Sequence, residues 1–200
     1  MTRIHSSPSE VTSSSGRAAV VVAGAGYVVA GLLQVVGGSP FAFGVAPDRL
    51  VGIWGLLCWP AGGVILLIAS FLLAGSGRQP GLIGRGRLRR LAVILSGSGP
   101  LLLVLAFGLS WTTAAAPLLV AVQLLSAAGT LGVAAALPRS DSRVAAVRAG
   151  FVLIALLDAV GLVLVALPNA SPAAQFVIAF LRPVAVALTG LLLCASRRRS

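Results

Sequence analysis

The chain has 200 residues, of which 58% are hydrophobic and only 10% charged, with a mean hydropathy of +1.05. Soluble domains carry about 45–50% apolar and about 25% charged residues, so this composition excludes a water-soluble globule and calls for lipid as the solvent. Fifteen basic residues stand against four acidic ones, a net charge of +11 and a pI of about 11.9, yet every basic residue is arginine and nearly all fall between apolar runs. That is the pattern that orients membrane proteins, and nucleic acid is not expected as a partner.

Met1 to Gly16 is polar and rich in Ser and Thr, and is expected to be a disordered cytoplasmic tail. Arg17 opens the first apolar run, Ala18 to Gly37. It is longer than the roughly 7–15 residues of a signal-peptide core, so a retained helix is expected. Five more runs follow: Leu50 to Ala74, Leu91 to Ser110, Ala114 to Leu137, Ala149 to Leu167 and Ala173 to Ala195. Each is near the roughly 20 residues that cross about 30 Å of hydrocarbon. Breakers separate them at Pro40 and Pro47, Pro80, Pro117, Pro138, and Pro168 and Pro172.

The expected fold is therefore an all-α integral membrane bundle of six transmembrane helices with short loops. It comprises a tail over 1–16, the helical domain over 17–196 and a basic C-terminus over 197–200. Thirteen arginines (Arg3, Arg17, Arg78, Arg85, Arg87, Arg89, Arg90, Arg139, Arg143, Arg148 and Arg197 to Arg199) fall on one side of such a chain, and Arg49 alone on the other. An even number of spans with both termini in the cytoplasm satisfies this split. Phe41, Phe43, Trp54, Trp59 and Trp111 then gather at the outer interface, where aromatic rings prefer to sit. The expected location is the cytoplasmic membrane, and the lysine-free composition, rich in Ala, Gly and Arg, points to a GC-rich bacterial genome.

The segment Gly26 to Gly37 matches Gly150 to Gly161 at six of twelve positions, pairing Tyr27 with Phe151 and Gln34 with Asp158, and the following runs carry Pro60 and Pro183 at similar places. Both hairpins run in the same sense, so any repeat is parallel; chance similarity between apolar helices is the plainer account.

Elimination is the strongest functional statement. The single histidine, His5, is in the tail; HExxH is absent and there is no lysine. Intramembrane zinc, Ser–His and Ser–Lys chemistry and bis-histidine haem are thereby excluded. An aspartyl dyad needs two carboxylates, and the runs hold only Asp158. There is no P-loop, and Gly24-Ala25-Gly26 lacks the third glycine of a dinucleotide fingerprint. Catalysis, metals and cofactors are not expected. Cys58 and Cys194 lie at opposite depths, too far apart for a disulfide.

Asp158 and Arg182 are the only charges inside the runs. They are equidistant from the Pro168–Pro172 turn, roughly 15 Å in at 1.5 Å per residue, so an antiparallel hairpin brings them to one depth as an ion pair. Gln34, Gln123 and Gln175 are lesser polar candidates. Ser96-Gly97-Ser98-Gly99-Pro100 is expected to kink or unwind the third helix, and such breaks bind substrates in transporters. Ala128, Gly132 and Ala136 form a smooth stripe for close packing. The loop Gly81-Leu82-Ile83-Gly84-Arg85-Gly86-Arg87-Leu88-Arg89-Arg90 resembles the Gly/Arg-rich loop of major-facilitator transporters without its acidic residue. Six spans are half such a fold, and the plainer reading is a basic loop that sets topology and touches anionic lipid.

Two functions stay open: a non-catalytic membrane protein that associates with a partner or with itself, and a small-solute permease. Few intramembrane polar groups favour the first.

Overall fold

The computed structural model describes residues 8–42, 50–75, 82–83, 86–108, 115–138, 142–167 and 172–197. They form six helices: α1 (Pro8–Ala42), α2 (Leu50–Ala74), α3 (Arg87–Gly108), α4 (Ala115–Ala136), α5 (Ser142–Ala166) and α6 (Pro172–Arg197). Three stretches, Ala18–Gly38, Leu57–Ala74 and Val144–Leu164, are long and apolar enough to cross a membrane, and Val120–Ala136 and Phe180–Ser196 are shorter apolar stretches.

Several boundaries differ from the sequence expectation. The tail is helical from Pro8 onward rather than disordered to Gly16. Proline is preorganised for a first helical turn. At its other end α1 runs past Pro40 to Ala42. The fourth connection is shorter than expected, because α5 begins at Ser142 and takes Arg143 and Arg148 into the helix.

The break expected at 96–100 does not unwind α3, which is α-helical from Arg87 to Gly108. Its glycines serve close packing instead. A Cβ at Gly97 would lie 2.9 Å from Leu67 Cα, and one at Gly99 would lie 2.5 Å from Ser126 Oγ. Small residues here let α2 and α4 approach the α3 backbone. The stripe on α4 is also rotated from its expected place. Ala128 is exposed, while Gly129 and Gly132 face α3, their would-be Cβ atoms 2.5 Å from Ser96 N and 2.7 Å from Ala92 Cβ.

Each helix packs on its neighbours in sequence, and α6 returns to α1, so the described helices close into a ring of three hairpins. The α1–α6 seam that closes the ring is close-packed: a Cβ at Gly31 would lie 2.5 Å from Pro183 O, and one at Gly190 would lie 2.5 Å from Gly24 O. Across the ring, Tyr27 of α1 meets Phe151 of α5 edge to face, with centroids 5.7 Å apart.

The two segments of the faint repeat, together with the six residues before each, have the same burial phase. Val20, Ala23, Tyr27, Ala30, Gly31 and Gln34 are buried on α1, as are their counterparts Val144, Val147, Phe151, Ile154, Ala155 and Asp158 on α5. Val21, Val22, Val29, Leu32 and Val36, on the other face of α1, are exposed. Gln34 and Asp158 each lie two turns beyond the aromatic pair on the stripe that faces the ring axis.

Contacts among the described residues tie together the end of the ring that carries Arg89 and Arg148. Gly75, at φ 75°, turns the chain out of α2, and its N–H donates to Phe71 O at 3.1 Å. A left-handed residue after a helix is a place for glycine. Ile83 folds back beneath the bundle, 1% exposed, and donates its N–H to Leu73 O at 3.3 Å. Arg89 Nη1 donates to Ile83 O at 2.9 Å, and Arg148 Nη2 donates to Leu137 O at 3.1 Å and also to Pro138 O. Arg148 thus satisfies carbonyls left open at the end of α4.

Candidate functional site

Seven polar side chains among the described residues are turned inward. Gln34, Ser70, Ser96, Ser126, Thr130, Asp158 and Thr189 are buried, whereas large apolar residues such as Val22, Leu32, Ile68, Leu156 and Leu188 are exposed. All six helices contribute to this polar interior.

Its centre is an ion pair. Arg182 Nε of α6 donates to Asp158 Oδ1 of α5, with the side chains 15% and 5% exposed. The other carboxylate oxygen, Oδ2, accepts from Ser126 Oγ of α4 at 2.9 Å. The same hydroxyl lies 3.4 Å from Arg182 Nη2, which donates to it. Three helices are thus joined at one level through a charge pair and a hydroxyl that accepts from one charge and donates to the other. The two charges cancel, so the cluster carries no net charge.

From Ser126 the network runs toward the arginine end. Thr130 Oγ1 donates to Ser126 O at 2.8 Å and shares a hydrogen bond of 3.1 Å with Ser96 Oγ of α3. Ser98 Oγ donates to Leu95 O at 3.4 Å. The residues expected at a helix break therefore bond within α3 or to α4. On the opposite side of the ring, Tyr27 Oη and Ser70 Oγ are 2.8 Å apart, and Ser70 Oγ also donates to Leu66 O at 2.8 Å. Bonds from Ser and Thr back to the preceding turn let a hydroxyl sit inside an apolar helix at little cost.

Two glutamines behave differently. Gln34 is 2% exposed, and among the described residues neither Oε1 nor Nε2 has a hydrogen-bond partner. Oε1 of Gln123, on α4, is likewise buried without a partner. Gln123 lies one turn from Ser126, away from the arginine end, and faces Gly161 of α5: a Cβ there would sit 3.6 Å from Gln123 Nε2. The side chain of Gln175 lies outside the described residues.

Cys58 and Cys194 are both free thiols, and Cys194 Sγ packs into the α1–α6 seam, 3.6 Å from Val21 O. Among the described residues no group of His, Cys, Asp and Glu is placed to hold a metal ion.

Sequence reasoning found Asp158, Arg182, Gln34 and Gln123 but missed Ser126, Thr130, Tyr27 and Ser70. The one signal for the α4 pair is that Ser126 and Thr130 are a turn apart in a helix whose only other polar side chain is Gln123, the spacing that places both on one face. No family model matches the chain, nor does any curated protein or solved structure.

Proposed function

We propose that this is a multi-pass protein of the bacterial cytoplasmic membrane. All six helices span the bilayer, both termini lie in the cytoplasm, and the protein acts without catalysis by associating with a membrane-protein partner or with further copies of itself. The observation that carries this reading is the inverted polarity of the ring. Polar side chains meet inside, large apolar ones face out, and the two intramembrane charges satisfy one another. A self-satisfied pair needs no ligand and fixes the register of α5 on α6. The arginine-bearing end faces the cytoplasm and meets anionic lipid headgroups there. The test is a pair of reporter fusions. A fluorescent protein placed after Ser200 should fluoresce, and alkaline phosphatase inserted within 111–116 should be active. Phosphatase activity from a fusion after Ser200 overturns the six-span arrangement.

A second reading, a small-solute permease, is favoured by one observation: the buried amide atoms of Gln34 and Gln123 that have no partner among the described residues. Interhelical amides in a purely structural bundle bond to a neighbour.

A further inference from the structure

Of the arginines whose side chains are described, three work inside the protein. Arg182 pairs with Asp158, Arg148 donates to Leu137 O and Pro138 O, and Arg89 donates to Ile83 O at 2.9 Å. Arg87 and Arg90 are left. Both are exposed on the first turn of α3, and neither has a partner among the described residues. Three residues apart on a helix, they are neighbours on its surface. Their turn is tied to the end of α2 through Arg89 and Ile83, which is buried and donates its N–H to Leu73 O at 3.3 Å. The Arg90 N–H donates in turn to Gly86 O at 3.1 Å. The two arginines thus stand on held backbone rather than on a loop.

Apolar surface is exposed beside this charge. Leu88 is 82% exposed, more than any other large apolar side chain among the described residues. Leu91 lies one turn in from Arg87 and Ile94 one turn in from Arg90, 50% and 40% exposed, on the same outward face of α3. Two like charges a turn apart repel one another, and exposed leucines forgo the gain of burial. An acidic protein segment would answer the arginines and leave the leucines bare. A neutral lipid would do the reverse. A phosphate carried on an acyl chain answers both, with charge and apolar surface in the order in which α3 presents them.

We propose that the outward face of the first two turns of α3 seats a single anionic phospholipid, its phosphate between Arg87 and Arg90 and an acyl chain along Leu91 and Ile94. Leu88 then stands at the boundary between headgroup and acyl chain, where an apolar side chain is welcome. Each guanidinium offers paired N–H donors that match phosphate oxygens. The inference deepens the lipid contact of the proposed function and rests on the reading of α3 as a span. It differs from the attraction that every arginine of that end shares, because it assigns the lipid to two residues and to the apolar stripe beneath them.

The test is native mass spectrometry of the full-length protein in detergent, titrated with dioleoylphosphatidylglycerol or dioleoylphosphatidylcholine. The wild type should take up one phosphatidylglycerol more tightly than it takes up phosphatidylcholine. Arg87→Gln with Arg90→Gln should weaken phosphatidylglycerol roughly thirtyfold, which is about 2 kcal/mol at 1.4 kcal/mol per tenfold, and should leave phosphatidylcholine unchanged. Should that variant not fold, Arg90→Gln alone should weaken phosphatidylglycerol roughly fivefold. Arg198→Gln with Arg199→Gln removes the same charge from the same end and should change binding less than about twofold, since it leaves the α3 seat intact. Equal losses from the two double variants, or no preference for phosphatidylglycerol in the wild type, overturn the seat. Glycerol 3-phosphate, which has the phosphate without acyl chains, should not displace the lipid at equal concentration; displacement would make this a phosphate site and overturn the lipid. The reporter fusions decide the six-span arrangement independently. Fusions of the expected pattern with equal losses remove the seat alone, whereas phosphatase activity after Ser200 with a selective loss keeps the seat and removes the arrangement.

Discussion

Replacing Asp158 or Arg182 singly and together measures what the buried pair contributes. Arg182→Ala leaves the Asp158 carboxylate, 5% exposed, with Ser126 Oγ as its remaining donor at 2.9 Å. Asp158→Ala leaves a guanidinium, 15% exposed, that keeps only the 3.4 Å bond to Ser126 and cannot lose its charge. Breaking a buried pair from one side costs about 3–5 kcal/mol, and Asp158→Ala should be the costlier single change. The double variant leaves no orphaned charge. Asp158→Leu with Arg182→Met, which also refills the volume, should return to within about 1–2 kcal/mol of the wild type. The assay is reversible unfolding in detergent micelles followed by circular dichroism, with folded yield after purification as a second readout. The double-mutant cycle should give a coupling of at least about 2 kcal/mol. If the double variant is as unstable as the sum of the singles, the pair contributes no coupling energy, and Asp158 becomes a candidate proton or ligand site rather than a register lock.

Two further substitutions test the packing. Gly99→Ala places a methyl 2.5 Å from Ser126 Oγ; it should destabilise by about 1–3 kcal/mol in the same unfolding assay, and a neutral or stabilising result would reinstate a helix-breaking role for this glycine. Tyr27→Phe removes the 2.8 Å bond to Ser70 while keeping the ring against Phe151. It should cost about 0.5–1.5 kcal/mol, with Ser70→Ala adding little on top, because the two changes delete one interaction.

The sequence alone determined that this chain is helical and apolar, where its runs lie, and which catalytic motifs are missing from it. These follow from composition and from the length of uninterrupted apolar stretches, which are one-dimensional properties. It also singled out Asp158 and Arg182, because two residues equidistant from a turn must lie at equal depth in a helical hairpin whatever else surrounds them. The ends of the helices were less legible. A polar tail can still start a helix at Pro8, and Gly-Ser-Gly-Pro reads as a break when only the strand of text is seen.

What only the tertiary structure decided is rotation and neighbourhood. Whether Gly97 and Gly99 loosen α3 or admit α2 and α4 depends on what stands beside them, and Leu67 and Ser126 do. Spacing along α4 could not say that Ser126 would turn toward Asp158 while Ala128 faced outward, since a rotation of one residue exchanges those faces. Nor could a twelve-residue similarity tell a repeat from a shared apolar alphabet. The ring decides where its members point: Tyr27 touches Phe151 across the axis, and Gln34 lies buried beyond it with no partner among the described residues. Depth is encoded locally along a helix, but azimuth is fixed by the close contacts between helices, and partners within the bundle follow from azimuth.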